Sequence, residues 1–279
     1  MLTVPIRQLG EPERAAVERI LDADPYAGAQ IAERVAAHGL NWWRSDGRIY
    51  GYEPHRQIES IIWSGAHLVP VGATPSATAA FADLFGAEPR ACSSIIGRSE
   101  AVLDRWDRLG GNWGPARDVR PHQPLLVTDR DSPVHPDPGV RLVRAGEVEQ
   151  LFPAAVAMYT EEVGVSPLLD DGGRGYRRRI AELVKAKRAY ARFDGDLVIF
   201  KAELAIVTRR TTQVQGVWVH PAYRGTGMAT AAMAAVVADA LRRVAPTVSL
   251  YVNDYNTAAR RVYANCGFTS AGSFATVLF

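Results

Sequence analysis

At 279 residues the chain is long for one compact domain and comfortable for two, with the apolar and charged content of an ordinary globular protein. A formal net charge of +2 gives no electrostatic case for nucleic-acid or membrane binding, and two distant cysteines, Cys92 and Cys266, make neither a disulfide framework nor a metal site. No apolar run reaches membrane-spanning length and no charged stub precedes an apolar core at the N-terminus, so a metal-free, cytoplasmic protein, monomer or homodimer, is expected.

In chain order, a short strand at 3–7 leads through a polar turn into an amphipathic helix at 12–23. Strands follow at 48–52, 58–63 and 67–71, then a helix at 76–85, a strand at 93–96 and a helix at 99–109. Trp42, Trp43 and Trp63 are either plain core or the walls of a pocket. The polar, proline-rich stretch 128–139 sustains neither a helix nor a central strand and reads as a linker.

The order then repeats: a strand at 140–144, a helix at 147–160, strands at 189–193, 196–207 and 212–219, a helix at 226–244, a strand at 248–252 and a helix at 256–265. This predicts an α/β (α+β) chain built as a tandem duplication of one fold, with domains at 1–127 and 140–279 joined by 128–139. The basic cluster of Arg177, Arg178, Arg179, Lys185, Lys187 and Arg188 reads as the solvated face of a helix. The run from Asp170 to Gly175 lacks the ligand spacing of a calcium loop and reads as a lid or turn.

The run Arg224-Gly225-Thr226-Gly227-Met228-Ala229, with Thr230 after it, carries the chemistry. It follows the strand ending Val217-Trp218-Val219 and opens a helix, so free N–H groups at the positive end of the helix dipole form an anion site suited to a phosphate. Gly225 and Gly227 let backbone approach the guest, and Arg224 can add a charged fork. The nucleoside-triphosphate loop motif is absent, and the dinucleotide fingerprint fails at Thr230 and at Asp239, which comes too early.

Arg-x-x-Gly-x-Ala after Val219-His220-Pro221, together with Asn256, Ala259, Tyr263 and Gly267-Phe268 downstream, resembles the GNAT superfamily of acyl-CoA-dependent N-acetyltransferases. The resemblance is specific over 197–279, and the tandem layout with one degenerate half is similar to that of mycothiol synthases and actinobacterial GNAT proteins. It implies acetyl-CoA as co-substrate, held by the 224–230 loop, by the edge of the 217–219 strand and by Asn256 and Ala259. It also implies Tyr263 as the general acid for the departing thiolate, although a tyrosine there can equally pack beneath the last strand.

Many relatives carry a glutamate base on the strand where this chain has Gln213 and Gln215, which cannot take a proton. Glu203 is the remaining candidate base, with surface pairing or a water chain as alternatives. Glu161 and Glu162 can attract a cationic amine acceptor, or be two solvated acids. In the first half, Gly72-Ala73-Thr74-Pro75-Ser76 stands where the anion loop would be, with no arginine and no Gly-x-Ala. The expected function is acetyl transfer to a primary amine; an acyl-CoA sensor without transferase activity is the rival.

Overall fold

The computed structural model describes all residues except 1–4, 42–45 and 170, so the expected first strand is seen only from Ile6, and Trp42, Trp43 and Asp170 lie outside the described residues. The chain divides into two compact units. Unit 1 comprises Met1–Leu125, Tyr251–Tyr255 and Ser270–Phe279; unit 2 comprises Leu126–Leu250 and Asn256–Thr269. The last strand of the chain therefore groups with the N-terminal unit, not with 140–279 as the linker position suggested. Among the described residues no helix is long and apolar enough to cross a membrane.

Unit 1 orders its strands β1 (Ile6–Gln8), β2 (Arg48–Tyr52), β3 (Ser60–Ser64), β4 (His67–Val71), β5 (Ser94–Arg98), β12 (Thr269–Leu278) and β6 (Asp118–Thr128). The pairs β1–β2, β2–β3 and β3–β4 are antiparallel, β4–β5 is parallel and β5–β12 antiparallel. Period-two alternation puts helices on both faces. Ile61 and Trp63 of β3 pack with Val17, Ile20 and Leu21 of α1 (Arg14–Ala23) and with Ile31 and Val35 of α2 (Ala29–His38). Ile62 points the other way, into a core with Phe81 of α3 (Pro75–Gly86), Val102 and Leu109 of α4 (Ser99–Trp113), and Ala275 and Val277 of β12. Trp63 is core, at 3% exposure.

Unit 2 repeats the scheme. Its strands run β11 (Val248–Tyr251), β10 (Thr212–Val219), β9 (Leu197–Val207), β8 (Ala189–Asp194) and β7 (Arg141–Leu142). Pairing is antiparallel from β7 to β10 and parallel between β10 and β11. Leu151, Phe152 and Ala155 of α5 (Val148–Val163) and Ile180, Leu183 and Val184 of α6 (Arg174–Lys185) cover one face over Ala189 and Ala191. On the other face Tyr190 Oη donates to Asp239 of α7 (Met228–Arg243) at 2.8 Å. The helix α8 (Thr257–Asn265) follows β11. Each unit thus runs strand, two helices, three strands, helix, strand, helix, with α2 and α6 each added after the one helix predicted at that point of the chain.

Candidate active site

The N-terminus of α7 is built to leave donors free. Its N-cap is Gly227 at φ +84°, which has no side chain to close the turn, and Gly225 sits at φ +77°. A Cβ at either glycine would meet nothing within 4 Å, so the loop lies against open space. Thr226 is turned aside, its hydroxyl donating to the Tyr223 carbonyl at 2.9 Å. Among the described residues no acceptor is paired with the backbone N–H groups of 225–229. Met228, Ala229 and Thr230 form the first turn of the helix. The matching place in unit 1 is closed: Thr74 caps α3, its Oγ1 accepting from the Ala77 N–H at 3.2 Å, with Pro75 at the first helical position.

β10 and β11 pair at only two positions, Thr212 with Val248 and Gln213 with Ser249, while β10 continues to Val219. A bulge lies within that continuation. Gln215 opposes Glu203 and Trp218 opposes Lys201, so three steps on β10 face two on β9. Gly216 takes the left-handed turn at φ +58°, and a Cβ there would stand 2.8 Å from Lys201 Nζ and 3.1 Å from Glu203. Lys201, 2% exposed, donates to the Gly216 carbonyl at 2.9 Å and to Glu203 Oε2 at 3.3 Å; Arg179 of α6 donates to Glu203 Oε1 at 2.9 Å. Two cations and one carboxylate thus hold the bulge from beneath. Arg179 departs in this from the purely solvated face expected of its cluster.

The placement corrects the expectation of Glu203 as base. Burial pushes its carboxyl up, but the Lys201 and Arg179 charges override that and hold it below the usual carboxylate range. Burial lowers Lys201 as well, against the pull of Glu203; the carboxylate, with two cations, is the better compensated partner. A carboxylate so held has little appetite for an amine's proton. Gln213 and Gln215 are hydrogen-bonded to each other at 2.9 Å. Sequence reasoning missed Lys201 and Arg179; the available signal was the glycine inside a strand pattern, which marks a bulge.

The end of α5 meets these elements. Glu161 accepts from Trp218 Nε1 at 3.0 Å and from Arg224 Nη2 at 3.1 and 2.8 Å, and Arg224 Nε donates to the Val219 carbonyl at 2.9 Å. Trp218 is buried and Val217 and Val219 are half-buried. Tyr263 of α8 is 7% exposed and packs edge-on against Phe268 with ring centroids 5.9 Å apart. Burial, then the charge of Glu162 and the neighbouring Cys266, pushes its phenol well above the ordinary value. Asn256 is the N-cap of α8, its Oδ1 accepting from the Ala259 N–H at 3.1 Å. Its oxygen is thus committed to the helix end, leaving the amide nitrogen for other partners. Asp171, in the run expected to be a lid or turn, accepts from the Gly175 N–H at 2.7 Å and so starts α6.

A family model described as the acetyltransferase (GNAT) family matches residues 175–268, which contain the bulge, the open α7 terminus and Tyr263. Residues 175–268 belong to the GNAT acetyltransferase superfamily. A second model, described as a domain of unknown function (DUF4081), matches 47–151. No curated protein matches the sequence. Among solved structures the chain is similar to a GNAT-family acetyltransferase from Colwellia psychrerythraea, at 12% identity, TM-score 0.57 and coverage of 98% of this chain and 99% of that one. A Drosophila protein gives TM-score 0.65 at 13% identity, covering 99% and 98%. A tandem GNAT protein from the clavulanic acid biosynthesis pathway gives 0.51 at 12%, covering 98% of each chain. At these identities the likeness is one of fold.

Proposed function

We propose that unit 2 transfers an acetyl group from acetyl-CoA to a primary amine by direct attack on the thioester. The observation that carries this reading is the side-chain-free start of α7, with open space at Gly225 and Gly227 where unit 1 has a closed Thr74 cap. Donors of this kind fit a pyrophosphate, to which Arg224 adds its guanidinium. The unpaired edge of β10 suits the pantetheine amides as an added strand would, and the bulge at Gly216 frees a backbone N–H to polarise the thioester carbonyl. The amine nitrogen bonds to the acetyl carbon as the carbon–sulfur bond breaks. Tyr263 gives its proton to the thiolate and recovers one from solvent, and the amine's own proton leaves to water.

Glu161 holds Arg224 in a two-oxygen ion pair that a pyrophosphate must displace. Both side chains are about half exposed, so the pair is worth roughly 0.2–1 kcal/mol. Glu161→Gln is therefore expected to lower KM for acetyl-CoA by about 1.4-fold to fivefold with kcat little changed, read from initial rates. An increase in KM would mean that Glu161 positions Arg224 for the coenzyme instead of competing with it.

One observation favours a second reading, an acyl-CoA sensor that transfers nothing: β10 carries glutamines where a base would stand, and Glu203 is neutralised. Thiol release from acetyl-CoA, measured with a panel of small amines and amine-bearing peptides, separates the two. The transferase reading requires at least one amine to accelerate release above hydrolysis; tight binding with no acceleration by any amine points to the sensor.

A further inference from the structure

Alternation along an antiparallel strand sends the backbone groups of successive residues to opposite edges. On β10 the His220 N–H donates to the Ile199 carbonyl at 2.9 Å and Trp218 opposes Lys201, so residues 218 and 220 address β9. Val219, between them, addresses the other edge, where its carbonyl accepts from Arg224 Nε at 2.9 Å. Val217 stands two residues before Val219 and shares that outward direction. Among the described residues β11 pairs with β10 only at Thr212 and Gln213, so Val217 faces the side that β11 has left.

The Val217 N–H belongs to the same peptide unit as the Gly216 carbonyl. In a planar trans unit those two groups point in opposite directions, and no cis bond occurs among the described residues. The Gly216 carbonyl accepts from Lys201 Nζ at 2.9 Å, on the face of the sheet where Arg179 of α6 meets Glu203. The N–H of that peptide is therefore turned away from the lysine. Two distances show what Lys201 is for: its nitrogen lies closer to the Gly216 carbonyl, at 2.9 Å, than to Glu203 Oε2, at 3.3 Å. Glu203 also has Arg179, whereas the lysine is the side-chain donor on Gly216. A Cβ on residue 216 would stand 2.8 Å from Nζ and 3.1 Å from Met158 Cε, so only glycine leaves the ammonium its place.

We propose, on the footing of acetyl-CoA bound in unit 2, that Lys201 is a positioning residue for the thioester: by holding the Gly216 carbonyl from beneath, it aims and polarises the Val217 N–H that meets the acetyl oxygen. Aim comes from the planar peptide, which cannot turn its N–H without pulling the carbonyl off the lysine. Polarisation comes from hydrogen bonds in series, which strengthen one another by about 10–30% per bond in a buried setting. A charge-assisted bond at the carbonyl end adds to this, because such bonds are roughly twice as strong as neutral ones. Lys201 is 2% exposed, so water does not screen it. It never touches the coenzyme, and its whole effect passes through one peptide unit.

The test needs no acceptor amine. The full chain is loaded with acetyl-CoA carrying carbon-13 at the acetyl carbonyl. Difference infrared spectra give the thioester band, and calorimetry gives the affinities for acetyl-CoA and for CoA. The variants are Lys201→Met and the same change with Glu203→Leu, the second serving if the first does not fold. In the wild type the band should lie at lower frequency than in buffer, as it does for a polarised carbonyl. The folded variants should lose most of that shift while CoA binds with near wild-type affinity. A folded variant that keeps the full shift, or a wild type that binds acetyl-CoA without any shift, would overturn the role of Lys201 and leave the coenzyme assignment standing. Loss of CoA affinity together with the shift, or failure of both variants to fold, would make Lys201 a structural prop and equally overturn the proposal. No acetyl-CoA binding by the wild type would remove the coenzyme assignment itself, and this role with it.

Discussion

Tyr263→Phe is expected to lower kcat for acetyl transfer by about 10²–10⁴-fold, the usual range for losing a positioned general acid, while KM for acetyl-CoA stays near the wild-type value. The substitution removes one oxygen and keeps the ring, so the edge-on contact with Phe268 survives and the fold should persist. The phenol is buried, and that burial and the Glu162 carboxylate hold its proton on throughout the neutral range. Only the step in which sulfur gains charge should feel its loss. Steady-state rates with a responsive amine decide the matter: an unchanged kcat would make Tyr263 a packing residue.

Lys201→Met is expected to cost about 3–5 kcal/mol of stability, the range for removing one partner of a buried ion pair. The lysine supports two acceptors at once, the Glu203 carboxylate and the Gly216 carbonyl at the bulge. Without it Glu203 keeps Arg179, but the bulge loses its buried donor. The double variant Lys201→Met with Glu203→Leu should recover much of the loss, because Arg179 is 44% exposed in its side chain and can return to water. Denaturant melts of the three proteins form the cycle. If the double variant is as unstable as the sum of the singles, the cluster is not the coupled unit described above. Activity adds a second readout, since a bulge that relaxes misplaces the backbone proposed to face the thioester.

Much of this was legible in the sequence because local rules and tertiary structure agree. The α7 terminus is announced by two glycines after a β-branched strand, and most of the repeated element order follows from hydrophobic periodicity. The strands β2, β4 and β10 fall where alternation puts them. Other features depend on partners distant in sequence. β6 contains Pro121 and Pro124, which argue against a strand locally, yet it is held beside β12, where Thr276 Oγ1 donates to Gln123 Oε1 at 2.6 Å. β12 opens with Thr269, Ser270 and Gly272, and nothing in its composition says that it completes unit 1. The helix α2 hides because its buried set is small, Ala29, Ile31 and Val35.

The site divides in the same way. Loop geometry is a backbone property and reads directly from glycine spacing. The fate of a carboxylate depends on its neighbours in space, which is why Glu203 resembled a base until Lys201 and Arg179 appeared beside it. Arg224 and Glu161, 63 residues apart, likewise gave no hint of their pairing.

The central claim is that the open start of α7 holds the coenzyme, and calorimetry of acetyl-CoA binding to wild type and Gly227→Glu tests it most directly. Gly227 has φ +84° with free space around it, so a side chain there costs about 1–2 kcal/mol of backbone strain without a clash. A carboxylate at that helix end occupies the N–H donors and repels a pyrophosphate. Saturable binding by the wild type and no measurable binding by a variant that still melts cooperatively is the predicted result; undiminished binding by the folded variant would contradict the assignment.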